Sequence, residues 1–314
     1  MASAGSPAVS DRAAHNPFLP GDEAAYRAWR EQKLQAYPTE VSALRVPIAD
    51  PGDVSNAEYA AIVSRCAKTN MAIYDVGRGS VAGKAAVRAL GRRFGLVRFD
   101  GNLYADEDSI TSLQVTAAPR QRDFIPYTNR RLNWHTDGYY NAPEERIRGI
   151  VMHCVRDAWR GGESRFLDHE IAYILLRDAN PRYIWALMQP DAMTIPPNID
   201  AGVEIRGAAT GPVFSVEKRT GNLHMRYSAR KRHINWKDDA DTQAAVAFLQ
   251  DLWMNGCPYM YHHRLVPGQG VICNNVLHNR AAFEDSDAAG GRLLYRARYY
   301  DRVRGTDLYD VFRR

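Results

Sequence analysis

Apolar and polar positions repeat with helical spacing in several segments of the chain. Segment 21–36 carries acidic residues early and basic residues late, as a helix dipole favours, and Pro38 ends the run. The same reasoning predicts further helices over 56–68 with Asn56 as its N-cap, over 81–94, from Asn180 with Pro181 in the first helical position, and over 239–254. The first three of these helices precede residue 110.

Short β-rich runs separated by turn residues fill most of the remaining chain. The predicted strands are 71–76, 111–117, 147–155, 212–217, 222–227, 258–265, 270–274 and 292–300. Alternating βαβ units are not evident, which argues against a doubly wound parallel sheet. We therefore expect a mainly β fold with flanking helices and a jelly-roll core. The predicted domain covers residues 21–314, has a helical N-terminal part, and follows a mobile tail over residues 1–20.

The composition is that of a globular protein, since 45% of the 314 residues are hydrophobic and 25% are charged. The net charge of +5 allows an acidic ligand but gives no sign of a nucleic-acid binder. No apolar run approaches the roughly 18 residues of a membrane span, so we expect none. The four cysteines are not spaced as CxxC, and the N-terminus lacks the pattern of a signal peptide. We therefore expect a reducing, cytoplasmic setting.

The segment 133–140 contains the first candidate for chemistry, an HxD pair formed by His135 and Asp137. On a strand, residues i and i+2 point to the same face about 6–7 Å apart, so both side chains would reach one metal ion. Imidazole plus carboxylate suits iron(II) when a second imidazole completes the coordinating face. An HxD pair also occurs by chance, and a surface histidine beside a turn aspartate is the alternative interpretation.

A second block lies between residues 267 and 300. A turn and a buried strand lead to His278, and the segment after it carries several arginines. On a strand, Arg292, Arg296 and Arg298 share one face. Arginines on the inner face of a barrel need anionic partners, and a carboxylate held by the guanidinium fork is one such partner. An edge strand with arginines facing solvent is the alternative.

These blocks resemble those of the taurine/2,4-D dioxygenase family of iron(II)- and 2-oxoglutarate-dependent oxygenases, in its clavaminate-synthase-like group. The resemblance runs from about residue 40 to residue 301 and rests on three blocks in the family's order. They are WHTDG at 134–138, GGESRFLD at 161–168 followed by Ala172 and Tyr173, and NxxxHxRxxF at 274–283 followed by RxxxR at 292–296. The resemblance implies a double-stranded β-helix, which is a jelly roll.

The family pattern implies roles for five residues of the candidate centre. His135, Asp137 and His278 would be the iron ligands, which makes them the metal-binding and catalytic residues. Arg292 would hold the distal carboxylate of 2-oxoglutarate, and Ser164 stands where the family usually has a threonine that helps to hold the same group. Serine keeps the hydroxyl of that threonine and lacks its methyl group.

Three more residues are candidates for substrate binding. Asn133 and Trp134 precede the iron ligands and would line or support the site. Arg296 stands where some relatives place an arginine that contacts an anionic substrate group, whereas other relatives use this position to support the co-substrate. A protein carboxylate such as Asp285 or Asp301 could satisfy the same guanidinium instead.

The resemblance implies an Fe(II)/2-oxoglutarate-dependent dioxygenase that acts with O2 on a small, anionic molecule. It would hydroxylate or oxidatively dealkylate an unactivated C–H and release succinate and CO2. A carboxylate at position 137 favours this outcome over halogenation, because halogenating relatives have a small residue there. Two alternatives stay open: the same chemistry on a macromolecule held by the basic stretch 226–233, and a non-catalytic, metal-binding jelly-roll sensor. We expect the loops that determine specificity at 75–82, 117–132 and 196–211.

Overall fold

The computed structural model describes residues 16–77, 82–101, 109–116, 124–200, 202–230, 234–286 and 290–312. The α-helices are α1 (Glu23–Leu34), α2 (Asn56–Thr69), α3 (Lys84–Arg93), α4 (His169–Ala179), α5 (Pro181–Leu187), α6 (Ala240–Asn255) and α7 (Leu308–Val311). Short 3-10 helices cover Val41–Leu44, Ile125–Tyr127 and Pro143–Glu145. Each helix expected from the sequence forms within a few residues of its predicted bounds. Among the described residues, no helix combines the length and the apolar surface that a bilayer span requires.

Local sequence explains where these helices begin. α2 starts after Ser55, whose hydroxyl accepts from the Glu58 backbone while the Glu58 carboxylate accepts from the Ser55 backbone. This capping box moves the N-cap one residue ahead of the predicted Asn56. α5 begins as predicted, with Asn180 as the N-cap and Pro181 in the first helical position.

The hydrophobic pattern does not predict α4, although this helix is central to the fold. Eight of its eleven residues are buried, including the polar residues His169, Glu170 and Arg177. Because buried positions of this helix are polar as well as apolar, polarity along the sequence does not report which residues face the core. Its start is fixed by Asp168, whose side chain accepts from the Glu170 backbone N–H at 2.9 Å.

Two larger sheets dominate the described strands. The strands are β1 (Arg45–Pro47), β2 (Met71–Asp75), β3 (Ile110–Leu113), β4 (Leu132–His135), β5 (Gly149–Arg156), β6 (Arg160–Gly161), β7 (Ser164–Leu167), β8 (Met193–Ile195), β9 (Asn198–Asp200), β10 (Val203–Arg206), β11 (Ala209–Gly211), β12 (Phe214–Val216), β13 (Leu223–Met225), β14 (Asn235–Trp236), β15 (Tyr261–His263), β16 (Gln269–Cys273), β17 (Leu277–Arg280), β18 (Phe283–Glu284) and β19 (Leu293–Tyr299). A six-stranded sheet has the order β1-β2-β16-β5-β19-β3, and a four-stranded sheet has the order β15-β7-β17-β4. The protein is therefore mostly sheet with several helices, as expected.

One parallel strand pair departs from the prediction. Strands β1 and β2 are parallel and are joined by α2, which makes a βαβ unit. The other described pairings of the two larger sheets are antiparallel. Since β1 contributes only three residues, its apolar pattern is too short to identify a strand. The parallel unit occupies one edge of the six-stranded sheet, so the prediction against a doubly wound parallel sheet holds.

Two hydrophobic cores lie on opposite faces of the six-stranded sheet. Along β16, Ile272 faces the smaller core, which Leu90 of α3 helps to fill. The neighbouring Val271 faces the larger core, which also contains Phe166 of the four-stranded sheet. This alternation follows the two-residue period of a strand. The larger core thus joins the two sheets, and strands β4 and β17 of the four-stranded sheet carry both histidines of the candidate centre.

Residues from Asn16 onward pack against the rest of the protein, so the predicted mobile tail over 1–20 is too long. Phe18 is fully buried, and the hydroxyl of Tyr173 donates to its carbonyl oxygen at 3.0 Å. Burial of this aromatic ring and the hydrogen bond from Asn16 Nδ2 to the Gly221 carbonyl hold the segment in place. Residues 1–15 lie outside the described residues.

Candidate metal centre

His135, Asp137 and His278 come together in the structure. Nε2 of His135 lies 3.4 Å from Oδ1 of Asp137, and Nε2 of His278 lies 4.0 Å from the same oxygen. All three side chains are buried, and their ligand atoms lie within 4.8 Å of one another. Among the described residues, no other group of three histidine, cysteine or acidic side chains meets this spacing. Two imidazoles and one carboxylate in this arrangement could hold a single metal ion.

Two short strands place the histidines opposite each other. β4 and β17 are antiparallel neighbours in which His135 pairs with His278. Nδ1 of His135 lies 2.8 Å from the Asn133 carbonyl oxygen, and Nδ1 of His278 lies 3.0 Å from the Val276 carbonyl oxygen. Nδ1 therefore donates in both rings, which leaves the Nε2 lone pair toward Asp137. Burial lowers the pKa of His278 to about 4, so its imidazole is neutral and able to bind a metal.

Asp137 lies in the turn after β4 and not on the strand. The strand ends at His135, and Gly138 has a left-handed φ of +67°. The prediction that strand spacing brings His135 and Asp137 to one face is therefore wrong, although the two side chains do meet. The side chain of Asn275 holds the Asp137 backbone instead, a contact that sequence reasoning missed. The available signal is the asparagine pair just before β17, since asparagine both tolerates turns and bonds backbone groups.

Arg296 of β19 supplies the positive charge beside the Asp137 carboxylate. Its Nη1 lies 3.2 Å from Oδ2 and donates to Oδ1 at 3.4 Å. Burial alone would raise the pKa of Asp137, but Arg296 together with His135, His278 and Arg298 outweighs that effect, and the pKa lies well below its ordinary value. The carboxylate is therefore anionic, which is the form that binds a metal.

Neither acidic residue expected as a partner of Arg296 contacts it. Asp285 accepts a hydrogen bond from the Arg292 backbone N–H at 2.9 Å, and Asp301 pairs with Arg98 at 2.7 Å. The alternative that a protein carboxylate satisfies Arg296 is therefore confirmed with another partner, the candidate ligand Asp137, in place of Asp285 or Asp301. Nε of Arg296 is buried and has no hydrogen-bond partner within the described part of the chain.

The arginines of this segment do not face solvent. Arg292, Arg296 and Arg298 are 7%, 8% and 5% exposed, respectively. Arg298 pairs with Asp100 and donates to the Tyr140 hydroxyl. β19 lies between β5 and β3, so the alternative of an edge strand with solvent-facing arginines is wrong.

Trp134 and Asn133 lie beside the centre on β4. Trp134 lies on the face of β4 opposite to His135 and stacks on Trp253 of α6, with ring centroids 4.6 Å apart. The side chain of Asn133 is exposed, and its contribution to the centre is the backbone carbonyl that orients His135. Trp134 therefore packs away from the centre and does not line it. Substrate binding by the Asn133 side chain, which by the strand period shares the face of His135, stays a prediction.

Ser164 and Arg292 line one small pocket, together with Gly162 and Arg264. Arg292 is buried, and no acidic side chain of the described residues forms an ion pair with its guanidinium. Ser164 lies two residues from Phe166 on β7, and Phe166 is directly opposite His278 on β17. Since two residues of a strand cover about 7 Å, the pocket begins roughly that far along the sheet from the histidine.

A family model described as taurine catabolism dioxygenase TauD, TfdA family matches residues 39–298. The chain belongs to this family. The matched range includes all three sequence blocks from which the resemblance was inferred, with every site residue named in them. The match thus confirms the TauD/TfdA assignment made from those blocks.

Individual relatives of this TauD/TfdA chain are oxygenases. A uridine-5'-phosphate dioxygenase from Amycolatopsis sp is 31% identical over 183 residues, which is 55% of this chain and 62% of that protein. Asparagine oxygenase in complex with Fe(II), 2S,3S-3-hydroxyasparagine and succinate has a TM-score of 0.53 and 16% identity, over 92% of this chain and 91% of that chain. The non-heme iron oxygenase OrfP in complex with Fe has a TM-score of 0.54 and 15% identity, over 90% and 91% of the two chains. At such identities the structural likeness shows a shared fold.

The loops expected to set specificity in this TauD/TfdA chain are described only in part. The segment 196–211 contains the hairpin of β9 and β10, and three of its apolar side chains are exposed, namely Ile199, Val203 and Ile205. Residues 78–81 and 117–123 of the other two loops lie outside the described residues.

The basic stretch 226–233 is engaged within the protein where it is described. Arg226 is half-buried, and its guanidinium donates to the carbonyl oxygens of Tyr139, Met193, Ala209 and Gly211. An arginine that binds four carbonyl groups joins neighbouring segments and is not available to an anionic polymer. Residues 231–233 lie outside the described residues, and nothing in the described part favours the macromolecular alternative.

Proposed function

We propose that this chain is an Fe(II)/2-oxoglutarate-dependent dioxygenase in which His135, Asp137 and His278 hold the iron. The donor set fits this metal, because two imidazoles and one carboxylate can occupy one face of an octahedron and leave the other face open. Oδ1 of Asp137 lies 3.4 Å and 4.0 Å from Nε2 of His135 and His278, while Oδ2 is paired with Arg296 and accepts no hydrogen bond from the described residues. The carboxylate therefore keeps acceptor capacity beside both imidazoles, which a metal ion would use.

We infer that Arg292 and Ser164 hold the distal carboxylate of 2-oxoglutarate. The observation that carries the whole proposal is the buried guanidinium of Arg292, which faces a cavity without an acidic partner from the described residues. A guanidinium fork binds a carboxylate at two points, and the Ser164 hydroxyl adds a further donor. The span of about 7 Å along the sheet suits a five-carbon dicarboxylate with one end near His278 and the other at Arg292.

The residues of the chain orient the reactants in this proposal. With iron(II) and 2-oxoglutarate bound, such a centre uses O2 to hydroxylate a C–H and releases succinate and CO2. The Nδ1 hydrogen bonds of His135 and His278 fix the direction of both imidazoles. Arg296 helps to keep the Asp137 carboxylate anionic, and the stack of Trp134 on Trp253 supports β4. Hydroxylation of a carbon that bears N, O or S would lead to dealkylation.

We propose a small, anionic substrate for this reaction. Arg296 supports this class, because its guanidinium lies 3.2 Å from the candidate ligand Asp137 and its buried Nε lacks a partner among the described residues. The relatives point the same way: one is named for uridine 5'-phosphate, and the other structure contains 3-hydroxyasparagine. Both molecules are small and carry an anionic group. Nucleoside monophosphates and α-amino acids are therefore the first candidates.

The family assignment also supports a double-stranded β-helix built from the six-stranded and four-stranded sheets. In this arrangement the larger core lies between the sheets, and the candidate centre lies on the inner face of the four-stranded sheet. The cytoplasmic setting stays a prediction from the sequence.

Succinate release tests the proposed activity. Wild-type protein with Fe(II), 2-oxoglutarate and O2 would be incubated separately with nucleoside monophosphates, amino acids and sulfonates. We expect one class to raise succinate release above the substrate-free rate and to yield a product heavier by one oxygen atom. His278→Ala is the inactive control, since it removes a candidate iron ligand. Absence of succinate from the wild-type protein under every condition would contradict the proposal.

A further inference from the structure

The Asp137 ligand lies in a turn, yet one side chain holds its backbone on both sides of Cα. Oδ1 of Asn275 accepts from the Asp137 backbone N–H at 2.8 Å, and Nδ2 donates to the Asp137 carbonyl at 2.9 Å. The same Nδ2 donates to the Ile147 carbonyl at 2.7 Å. Asn275 is 4% exposed, so these hydrogen bonds are shielded from water. The Asp137 backbone is thereby fixed at a position where no strand fixes it.

Asparagine is the residue type that these contacts require. The position needs one acceptor and two donors in a single planar group, and a primary amide offers both. An ionised aspartate has acceptors only, and a serine has one donor. The backbone of Asn275 also has a φ of +51°, in the left-handed region that asparagine tolerates better than most residues. Both the hydrogen bonds and the backbone conformation therefore match asparagine.

Asn275 belongs to the same short connection that carries the third candidate ligand. It lies between β16 and β17, three residues before His278. The next residue, Val276, offers the carbonyl that orients the His278 ring. Residues 275–278 therefore contact or contain two of the three candidate ligands.

We propose that Asn275 is a positioning residue that sets the direction of the Asp137 carboxylate, and thereby the affinity of the centre for iron(II). The inference rests on the proposed metal centre. Arg296 attracts the same carboxylate, with Nη1 3.2 Å from Oδ2. A turn that could follow this attraction would carry the carboxylate away from the histidines. The amide of Asn275 resists that movement because it fixes the backbone from which the carboxylate extends.

The adjacent Asn274 provides a matched control. It is 2% exposed, its Nδ2 donates to Asn70 and Thr306, and its Oδ1 accepts from the Val303 backbone. Its amide therefore also donates twice and accepts once, but none of its partners is a candidate ligand. Glycine at either position removes a buried, fully bonded amide, and glycine also accepts the left-handed φ of Asn275. The pair of variants separates a role at the metal from a role in the fold.

We expect Asn275→Gly to weaken Fe(II) binding by about 10–100-fold, the usual effect of losing a group that supports a metal ligand. Anaerobic titration of the metal-free protein with Fe(II) measures the affinity, and the visible absorption of Co(II) reports the coordination. Asn274→Gly should bind both ions as the wild type does, although both variants lose thermal stability. Asn275→Asp keeps the acceptor and loses both donors, so we expect weaker Fe(II) binding there too. That variant decides the question if Asn275→Gly does not fold.

Wild-type Fe(II) affinity and a wild-type Co(II) spectrum in a folded Asn275 variant would overturn this role and leave the metal centre intact. An equal loss of affinity in Asn275→Gly and Asn274→Gly would also overturn it, because the effect would then arise from the fold. Failure of the wild-type protein to bind Fe(II) would instead overturn the metal centre itself, and this inference with it.

Discussion

The guanidinium of Arg296 lies against the carboxylate of Asp137, with 3.2 Å between Nη1 and Oδ2. Both side chains are buried, so each neutralises a charge that would otherwise be costly in the interior. The pair explains how a buried carboxylate stays anionic before a metal is present. A metal ion at the candidate centre would share this carboxylate with the arginine, so the two cations should compensate for each other.

We expect Arg296→Gln to destabilise the metal-free protein more than the metal-bound protein. Removal of one member of a buried ion pair costs roughly 3–5 kcal/mol, because the remaining charge is uncompensated. A divalent ion on Asp137 would again give the carboxylate a positive neighbour. Urea unfolding with and without Co(II) measures the two losses of free energy. Equal losses in both states would contradict a carboxylate shared between Arg296 and the metal.

We expect Arg292→Lys to raise the apparent Michaelis constant for 2-oxoglutarate roughly tenfold, which corresponds to about 1.4 kcal/mol. Lysine keeps the charge but replaces the two-point fork by a single ammonium group. Ser164→Ala should have a smaller effect, since one neutral hydrogen bond contributes about 1 kcal/mol. Fe(II) affinity in the absence of 2-oxoglutarate is the control and should not change. An unchanged Michaelis constant in Arg292→Lys would place the co-substrate elsewhere.

Replacement of Trp134 should affect stability and spare the metal. The ring is 2% exposed and stacks on Trp253, so Trp134→Ala should cost roughly 3–5 kcal/mol of unfolding free energy. Trp253→Ala is the matched control, because it removes the other half of the same stack. Fe(II) titration below the unfolding temperature should give wild-type affinity in both variants. A selective loss of substrate affinity in Trp134→Ala would restore the original expectation that this residue lines the site.

His153 should make the stability of the protein depend on pH. It is 1% exposed beside Tyr74, and burial lowers its pKa from 6.5 to about 4. Between these values the unfolded chain takes up a proton that the folded chain does not, so stability falls as the pH falls from 6.5 towards 4. From pH 7 to pH 5 the loss should be about 2 kcal/mol.

The measurement for His153 is urea unfolding at pH 7 and at pH 5, with His153→Gln as the comparison. Glutamine cannot take up the proton, so the variant should lose less stability on acidification than the wild type does. The same loss in both proteins would show that other groups account for the pH dependence.

Most helices and most long strands follow from local sequence, whereas α4 and the strands of the metal centre do not. Caps such as Asn180 and the period of apolar residues identify helices at short range. β4 and β17 have only four residues each and mix polar with apolar positions, because the polar residues His135, His278 and Arg280 are buried. A hydrophobic pattern cannot identify strands whose buried residues are polar.

The site residues were predicted through the spacing of motifs, and their contacts were not. Spacing points to His135 and Asp137 as a pair, but the pair forms through a turn and a long-range hydrogen bond from Asn275. The partner of Arg296 is also distant in sequence, since Asp137 precedes it by 159 residues. Contacts of this kind depend on how the two sheets pack, which local propensity does not determine.

The central claim is that His135, Asp137 and His278 form an iron(II) centre that binds 2-oxoglutarate. Anaerobic addition of Fe(II) and then 2-oxoglutarate to the metal-free protein, followed by visible spectroscopy, tests this claim most directly. We predict an absorption band that requires both additions, saturates at one Fe(II) per chain, and is lost in His135→Ala and in His278→Ala. No band in the wild-type protein, or an undiminished band in both alanine variants, would contradict the claim.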